Sequence, residues 1–315
     1  MKKVLCIVGQ TATGKTSIAL QLTKAIPAEI ISADSRQVYI GMDIGTGKDI
    51  PADFSAFFDK GKKFFSNSQT KIWMVDQVNP DEDWSVSQFV RESKSIISKM
   101  HEQVILPLIV GGTGLYVQSL INPPESIDVP RNETLRKMLE NLSIKDLQKK
   151  LLLSDANKFH SMNHSDQNNP RRLIRALEIA SQKKSATHTT KQLSYDALWI
   201  GLRAADTTIE HNINKRVDER IKLGMIAETK KLINTYSHWN SQAFSSTGYQ
   251  EIRAYLEGNI PLDQAIQEWK LHELQYAKRQ MTWFKKLKNI HWFDIEKQQT
   301  QQDIEKLVKN WYYSK

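Results

Sequence analysis

A single cysteine, Cys6, in a chain of 315 residues excludes an internal disulfide framework and any cysteine-built metal cage. It lies between Leu5 and Ile7 in an apolar run, where a free thiol serves as small core filler. Long hydrophobic runs are absent as well. No stretch approaches the roughly 20 apolar residues needed to cross a bilayer, and the first apolar run begins three residues into the sequence. The expectation is a soluble, cytoplasmic protein with no membrane partner. No internal repeat or low-complexity segment stands out. Acidic residues are the scarcer charge, 35 against 44 Lys and Arg, giving a net charge of +9 and a pI near 9.3. That balance favours a polyanionic partner. The rest is ordinary globular composition, 40% hydrophobic and 25% charged, at a length that suits one large domain with an insertion or two domains.

The most informative run is Gly9-Gln10-Thr11-Ala12-Thr13-Gly14-Lys15-Thr16, directly after Val4 to Val8. It fits the phosphate-binding pattern G-x-x-x-x-G-K-S/T between a strand and a helix. Its glycines let backbone N–H groups point inward, Lys15 adds a point charge, and the Thr16 hydroxyl is a magnesium ligand of the expected type. A helix from Lys15 to Ala25 would add its positive end.

Short apolar runs at Val4 to Val8, Glu29 to Ser32, Ile72 to Val75, Val104 to Val110 and Ala197 to Leu202 read as strands alternating with helices,. The fold expected is therefore α/β, a parallel sheet flanked by helices. Ligands gather at the carboxyl ends of such strands, which here are Gly9 to Thr16, Ala33 to Gln37, Asp76 and Gly111 to Gly114. From Asn122-Pro123-Pro124 the composition turns polar and helix-favouring, with Glu133 to Leu153 and Pro170 to Gln182 as its best helices. We read 123–190 as a smaller all-helical insertion domain and 1–122 with 191–315 as the core. Ser185 to Gln192 suits a hinge or mobile loop. The remainder is helical at Ile213 to Tyr236, Tyr249 to Glu257 and Leu262 to Leu287, with a short strand at His291 to Phe293.

Several polar groups keep alternatives open. Asp34, after the second strand, reads as a general base, as a carboxylate holding magnesium through water, or as a helix cap. Asp43-Ile44-Gly45-Thr46-Gly47-Lys48 is a second anion-binding nest or a flexible turn. Gly111-Gly112-Thr113-Gly114 adds N–H groups and a hydroxyl at the same sheet edge. Asp76 ends an apolar run and keeps a phosphate-loop kinase or hydrolase open. Arg171, Arg172 and Arg175 form a solvated basic helix face or an RNA contact, and so do Lys278, Arg279, Lys285, Lys286 and Lys288 around Trp283. Arg216 and Arg220, four apart on a helix, clamp a diphosphate or pair with Asp218 and Glu219.

Taken together, the motifs at Gly9 to Thr16, Ala33 to Tyr39, Asp43 to Lys48, Gly111 to Tyr116, Pro170 to Glu178, Arg216 to Asp218, Gly248 to Ile252 and Ala277 to Trp283 resemble the tRNA dimethylallyltransferase family along nearly the whole chain. The resemblance implies transfer of the dimethylallyl group of dimethylallyl diphosphate to N6 of adenosine 37 in the anticodon stem-loop of tRNA, with Mg2+ as cofactor and a monomeric enzyme. It implies Asp34, Thr113 and Arg216 as catalytic, and Gly9, Gln10, Thr11, Ala12, Thr13, Gly14, Lys15 and Thr16 as the diphosphate loop, Thr16 being the metal ligand. By the same resemblance tRNA meets Asp34, Ser35, Arg36 and Gln37; Arg136; Arg171, Arg172, Leu173, Ile174 and Arg175; and Lys278, Arg279, Gln280, Met281, Thr282, Trp283, Phe284 and Lys285. Gln10 departs from the family's usual proline, and Lys71-Ile72-Trp73-Met74 stands where a His-His-Leu element is common. The rivals are an adenylate isopentenyltransferase, a phosphate-loop kinase, and a non-catalytic, nucleotide-gated RNA-binding protein.

Overall fold

The structure, a computed structural model, describes residues 2–182, 195–236 and 241–314. The strands among them are β1 (Lys2–Gly9), β2 (Ala28–Ser32), β3 (Ser55–Asp59), β4 (Lys62–Ser66), β5 (Lys71–Trp73), β6 (Leu106–Gly111), β7 (Tyr195–Arg203) and β8 (Ile290–Asp294). The helices are α1 (Lys15–Ala25), α2 (Val86–Glu102), α3 (Gly114–Ile121), α4 (Glu133–Glu140), α5 (Ile144–Ser154), α6 (Ala156–Ser161), α7 (His164–Gln167), α8 (Pro170–Gln182), α9 (Asp206–Lys222), α10 (Met225–Thr235), α11 (Ser241–Phe244), α12 (Tyr249–Leu256), α13 (Leu262–Phe284) and α14 (Thr300–Tyr313). They fall into two compact units, one of 2–123 with 195–236 and 241–314, the other of 124–182. No helix among the described residues is long and apolar enough to cross a membrane. The suggested hinge at Ser185 to Gln192 lies outside the described residues.

In the first unit one sheet runs in the order β3-β4-β5-β2-β6-β1-β7-β8. From β5 to β8 every pairing is parallel, which explains why β1 and β6 are buried almost throughout: a sheet covered on both faces needs apolar side chains on both. Leu5, Ile7, Ile30, Leu108 and Ile200 of the sheet share a core with Leu22 of α1 and Ile304 and Val308 of α14. The register pairs Val8 with Gly111 and Ser32 with Val110. The ends of β1, β2 and β6 are therefore level, and three functional loops leave the sheet at one edge.

The antiparallel hairpin β3–β4 was not anticipated. It turns at Lys60 and Gly61, both at positive φ, with a pattern too exposed to give a buried stripe. Two long helices expected from the sequence are each broken. Ser143 ends the run through Glu133 to Leu153 by accepting the Asp146 N–H at 3.2 Å, capping α5. Gly224, at φ 104°, parts α9 from α10, a conformation open to glycine at little cost. Helix α9 also begins earlier than expected, at Asp206.

The second unit carries a core of its own, built from Leu139, Leu147, Leu151, Leu173, Ile174, Ala176 and Leu177. Asn169 and Pro170 stand at the start of α8 as an amide cap and a first-turn proline should,.

Candidate active site

The sheet edge opens on a cavity of about 730 Å³. It is lined by Thr11, Ala12, Gly14, Lys15 and Thr16 of the β1–α1 loop, by Asp34 and Gln37, by Thr46 to Ile50, by Gly111 and Gly112, and by Asn212, Arg216, Arg220, Tyr276 and Gln280. The Gln10 carbonyl accepts the Thr13 hydroxyl at 2.8 Å and Lys15 Nζ at 2.5 Å. What the loop takes from residue 10 is a carbonyl, which any residue supplies, so the departure from proline leaves this bonding intact. Burial, then the Arg216 charge, draws the Lys15 pKa down to about 7 against the pull of Asp34. An arriving anion reverses that balance.

Asp34 Oδ1 accepts the Arg36 N–H at 2.8 Å. This carboxylate therefore closes a local turn and caps no helix, while it lines the cavity. Beside it, Gln37 is held at both ends of its amide: Oε1 accepts from Ser32 Oγ and Nε2 donates to the Gly47 carbonyl, each at 2.8 Å. Thr113 Oγ1 accepts the Ser35 N–H at 3.2 Å and hydrogen-bonds with Tyr276. Burial first, and the Asp34 charge second, push the Tyr276 phenol up to about 12, so it stays protonated at neutral pH. Sequence reasoning missed Tyr276; its place in a helical run with Ala277 hid it among core aromatics.

Arg216 Nη2 donates to Thr11 Oγ1 at 2.7 Å and meets Glu273 Oε2 at 3.1 Å. Arg220 donates to the Gly45 carbonyl at 3.0 Å and lies 3.9 Å from Glu273 Oε1. Burial and the neighbouring Arg216 lower the Arg220 pKa to about 10, which leaves the Arg220 guanidinium charged at neutral pH. Their anionic partner is thus Glu273 on α13. The suggested pairing with Asp218 and Glu219 is not formed; Asp218 meets Lys270 at 2.6 Å and Glu219 lies 3.9 Å from Lys215.

Two loop readings are resolved. Asp76 is buried with Lys48 on one oxygen and Lys63 on the other, the latter at 2.6 Å. Both lone-pair sets are taken, and it does not line the cavity; the metal-orienting acid of a kinase is missing from that position. The segment from Asp43 is a nest, and its anion is internal. Glu228 accepts the N–H groups of Asp43, Ile44 and Gly45 at 3.1, 2.8 and 3.2 Å, and the Tyr249 hydroxyl at 2.6 Å.

Several residues assigned to tRNA by resemblance turn inward. Leu173 and Ile174 belong to the core of the helical unit. Arg136 holds buried Glu178 through two bonds of 2.6 and 2.7 Å, and Arg175 reaches Glu178 and the carbonyls of Ser126 and Val129. Gln280 and Phe284 are buried, and Trp283 packs against Gly114. Arg36 is tied to the Gln242 carbonyl and Ser245 Oγ. Lys278, Arg279 and Thr282 are exposed on α13 and Lys285 just past its end, and Arg171 and Arg172 on α8, with Arg172 paired to Asp166. Basic spacing was legible; which arginine faced a carboxylate of its own unit was not.

A largely parallel sheet whose first loop carries the phosphate-binding pattern, facing a carboxylate, two arginines and a lysine, defines a phosphate-loop α/β fold. Comparison narrows the class. The family model described as IPP transferase matches residues 37–287, and one described as isopentenyl transferase matches 2–58. The chain is 35% identical to a tRNA dimethylallyltransferase of Acetivibrio thermocellus, covering 99% of this chain and 97% of that one. It is 37% identical to one of Anoxybacillus flavithermus over 93% and 91% of the two chains. A crystal structure of the tRNA isopentenylpyrophosphate transferase of Bacillus halodurans matches with a TM-score of 0.71 at 33% identity, over 99% of this chain and 97% of that one. The chain belongs to the IPP transferase family.

Proposed function

We propose that this protein transfers the dimethylallyl group of dimethylallyl diphosphate to N6 of adenosine 37 of tRNA, releasing diphosphate. The observation that carries the reading is the meeting of Lys15, Arg216 and Asp34 in one cavity at the end of the phosphate loop. The adenine N6 attacks the allylic carbon as its bond to oxygen breaks, and the electron pair leaves with diphosphate. Lys15, Arg216 and the N–H groups of the loop stabilise that charge as it grows. The N6 proton passes to Asp34, a step worth about 10²- to 10⁴-fold in rate. Tyr276 and Thr113 steady the turn that carries Asp34.

Among the described residues no group of three or more His, Cys, Asp or Glu forms a metal cage. A magnesium ion carried on diphosphate needs only one or two protein ligands, and Thr16, on the cavity wall, is the residue that would hold it. Magnesium, when bound, supplies further positive charge to the departing oxygens. The exposed basic residues of α13 serve the tRNA backbone, and the helical unit, through Arg171 and Arg172, grips the anticodon loop of a cytoplasmic tRNA bound by a single copy of the chain. Extruding a base from that partly single-stranded loop costs only a few kcal/mol.

The test offers purified protein labelled dimethylallyl diphosphate with an anticodon stem-loop, with AMP, or with ATP and a nucleoside. Label on the RNA adenine supports the proposal. Label on AMP selects an adenylate isopentenyltransferase, phosphate transfer a kinase, and binding without chemistry a non-catalytic RNA-binding protein.

A further inference from the structure

Helix α13 turns Glu273, Tyr276 and Gln280 toward the site, spaced three and four residues apart and hence on one face. Each holds a different segment: Glu273 the two arginines, Tyr276 the Thr113 hydroxyl, Gln280 the phosphate loop. Gln280 alone joins two loops. Its Oε1 accepts the Thr11 N–H at 2.7 Å, and its Nε2 donates to the Gly112 carbonyl at 3.1 Å. The residue is 5% exposed, and both ends of the amide are used. The fit is close, since a Cβ at position 112 would stand 2.0 Å from Nε2. Residue 112 has to be glycine for this bond to form.

Thr11 is also the residue whose hydroxyl receives Arg216. Fixing the Thr11 N–H therefore fixes the entry to the phosphate loop and the perch of an arginine aimed at the same anion. It also withdraws one N–H from the cradle, leaving the later N–H groups, at the start of α1, for phosphate. The neighbouring positions Lys278, Arg279 and Thr282 are exposed on the same helix, so the segment read as one RNA-contacting block divides by face.

We propose that Gln280 is a positioning residue for the diphosphate site, acting through Thr11 and Gly112 and making no contact with RNA. The inference rests on reading the cavity as a diphosphate site. Glutamine suits the task because one loop presents a donor and the other an acceptor. A carboxylate at this place accepts from Thr11 but repels the Gly112 carbonyl, and a thioether does neither.

The experiment compares wild type, Gln280→Met and Gln280→Glu, using magnesium and inorganic diphosphate as the calorimetric probe and an anticodon stem-loop for RNA affinity. In Gln280→Met two hydrogen bonds are lost, and diphosphate affinity should fall about 10- to 100-fold while RNA affinity stays within about twofold. In Gln280→Glu the loss, measured relative to wild type at each pH, should shrink as pH drops, because the protonated acid again donates to Gly112 and accepts from Thr11. Thermal denaturation checks that both variants fold, and should Gln280→Met fail to do so, the pH dependence of Gln280→Glu decides. Unchanged diphosphate affinity, a loss carried by RNA affinity instead, or a Gln280→Glu defect that ignores pH would each overturn the proposal. If wild type binds diphosphate as described yet prenylates no RNA, the functional reading fails while the role of Gln280 stands.

Discussion

Lys15 makes the empty site sensitive to pH in a way that can be worked through. Its pKa of about 7, against an ordinary 10.5, follows from burial and from Arg216. A bound diphosphate restores the charged form, so the pKa rises on binding and a proton is taken up wherever the empty site has lost one. At pH 6 roughly nine in ten empty sites already carry the proton, at pH 7 about half, and at pH 8 roughly one in ten. Uptake should therefore be near 0.1, 0.5 and 0.9 protons per diphosphate at about those three pH values, and affinity should drop about tenfold between pH 8 and 9. The assay is titration calorimetry in buffers of differing ionisation enthalpy, where the slope of observed heat against buffer enthalpy counts protons. Lys15→Arg, charged throughout, removes the diphosphate's own titration from the comparison. A slope at pH 8 equal in wild type and Lys15→Arg would refute the reasoning. The same shift acts on the free protein in the other sense: between pH 7 and 10.5 the unfolded chain holds a proton the folded one has lost, so the Lys15 contribution to stability rises with pH across that window.

Asp34→Asn keeps the oxygen that accepts the Arg36 N–H and removes the base, so transfer should fall by about 10² or more with tRNA affinity within a few fold; near-normal turnover in a single-turnover assay would end its role. Replacing Lys278 and Arg279 together by alanine should weaken tRNA binding and flatten its dependence on salt by roughly one unit of slope per lost phosphate contact, and an unaltered slope would assign them to solubility. Arg136→Met takes two of its bonds from the buried Glu178, whose pKa burial raises but whose bonds from Arg136, Asn132 and Arg175 hold below the ordinary value; with Asn132 and Arg175 still in place, denaturant titration should show a loss of about 1.5–3 kcal/mol, and an undisturbed midpoint with weakened tRNA binding would restore Arg136 to the RNA surface. Val104 is 76% exposed at φ 59°, a conformation that costs a β-branched residue about 1–2 kcal/mol, so Val104→Gly should raise the melting midpoint, and a lowered one would contradict the strain.

Much of this site was legible because its signals are local. A strand, a glycine loop and a helix lie within one short stretch from Lys2 to Ala25, and β1 and α1 formed there. The same holds for α8, announced by Asn169 and Pro170. The breaks at Ser143 and Gly224 also left local marks, a Ser-x-x-Asp cap and a lone glycine, but uninterrupted apolar spacing on either side outweighed them. What could not be read was which partner a helical face meets. Arg136 and Arg171 look alike in sequence, yet one meets Glu178 and the other is exposed. Gln280 stood in a basic run, and only the approach of α13 to Thr11 and Gly112 gave it a task. Glu228 carried no signal at all, since the nest it fills lies 183–185 residues away.

The most direct measurement is diffraction from crystals grown with a non-cleavable analogue of dimethylallyl diphosphate and an anticodon stem-loop. The account expects the diphosphate within hydrogen-bonding reach of Lys15 and Arg216, and the target adenine N6 within reach of Asp34. A diphosphate bound elsewhere, or an Asp34 carboxylate turned away from the base, would contradict it.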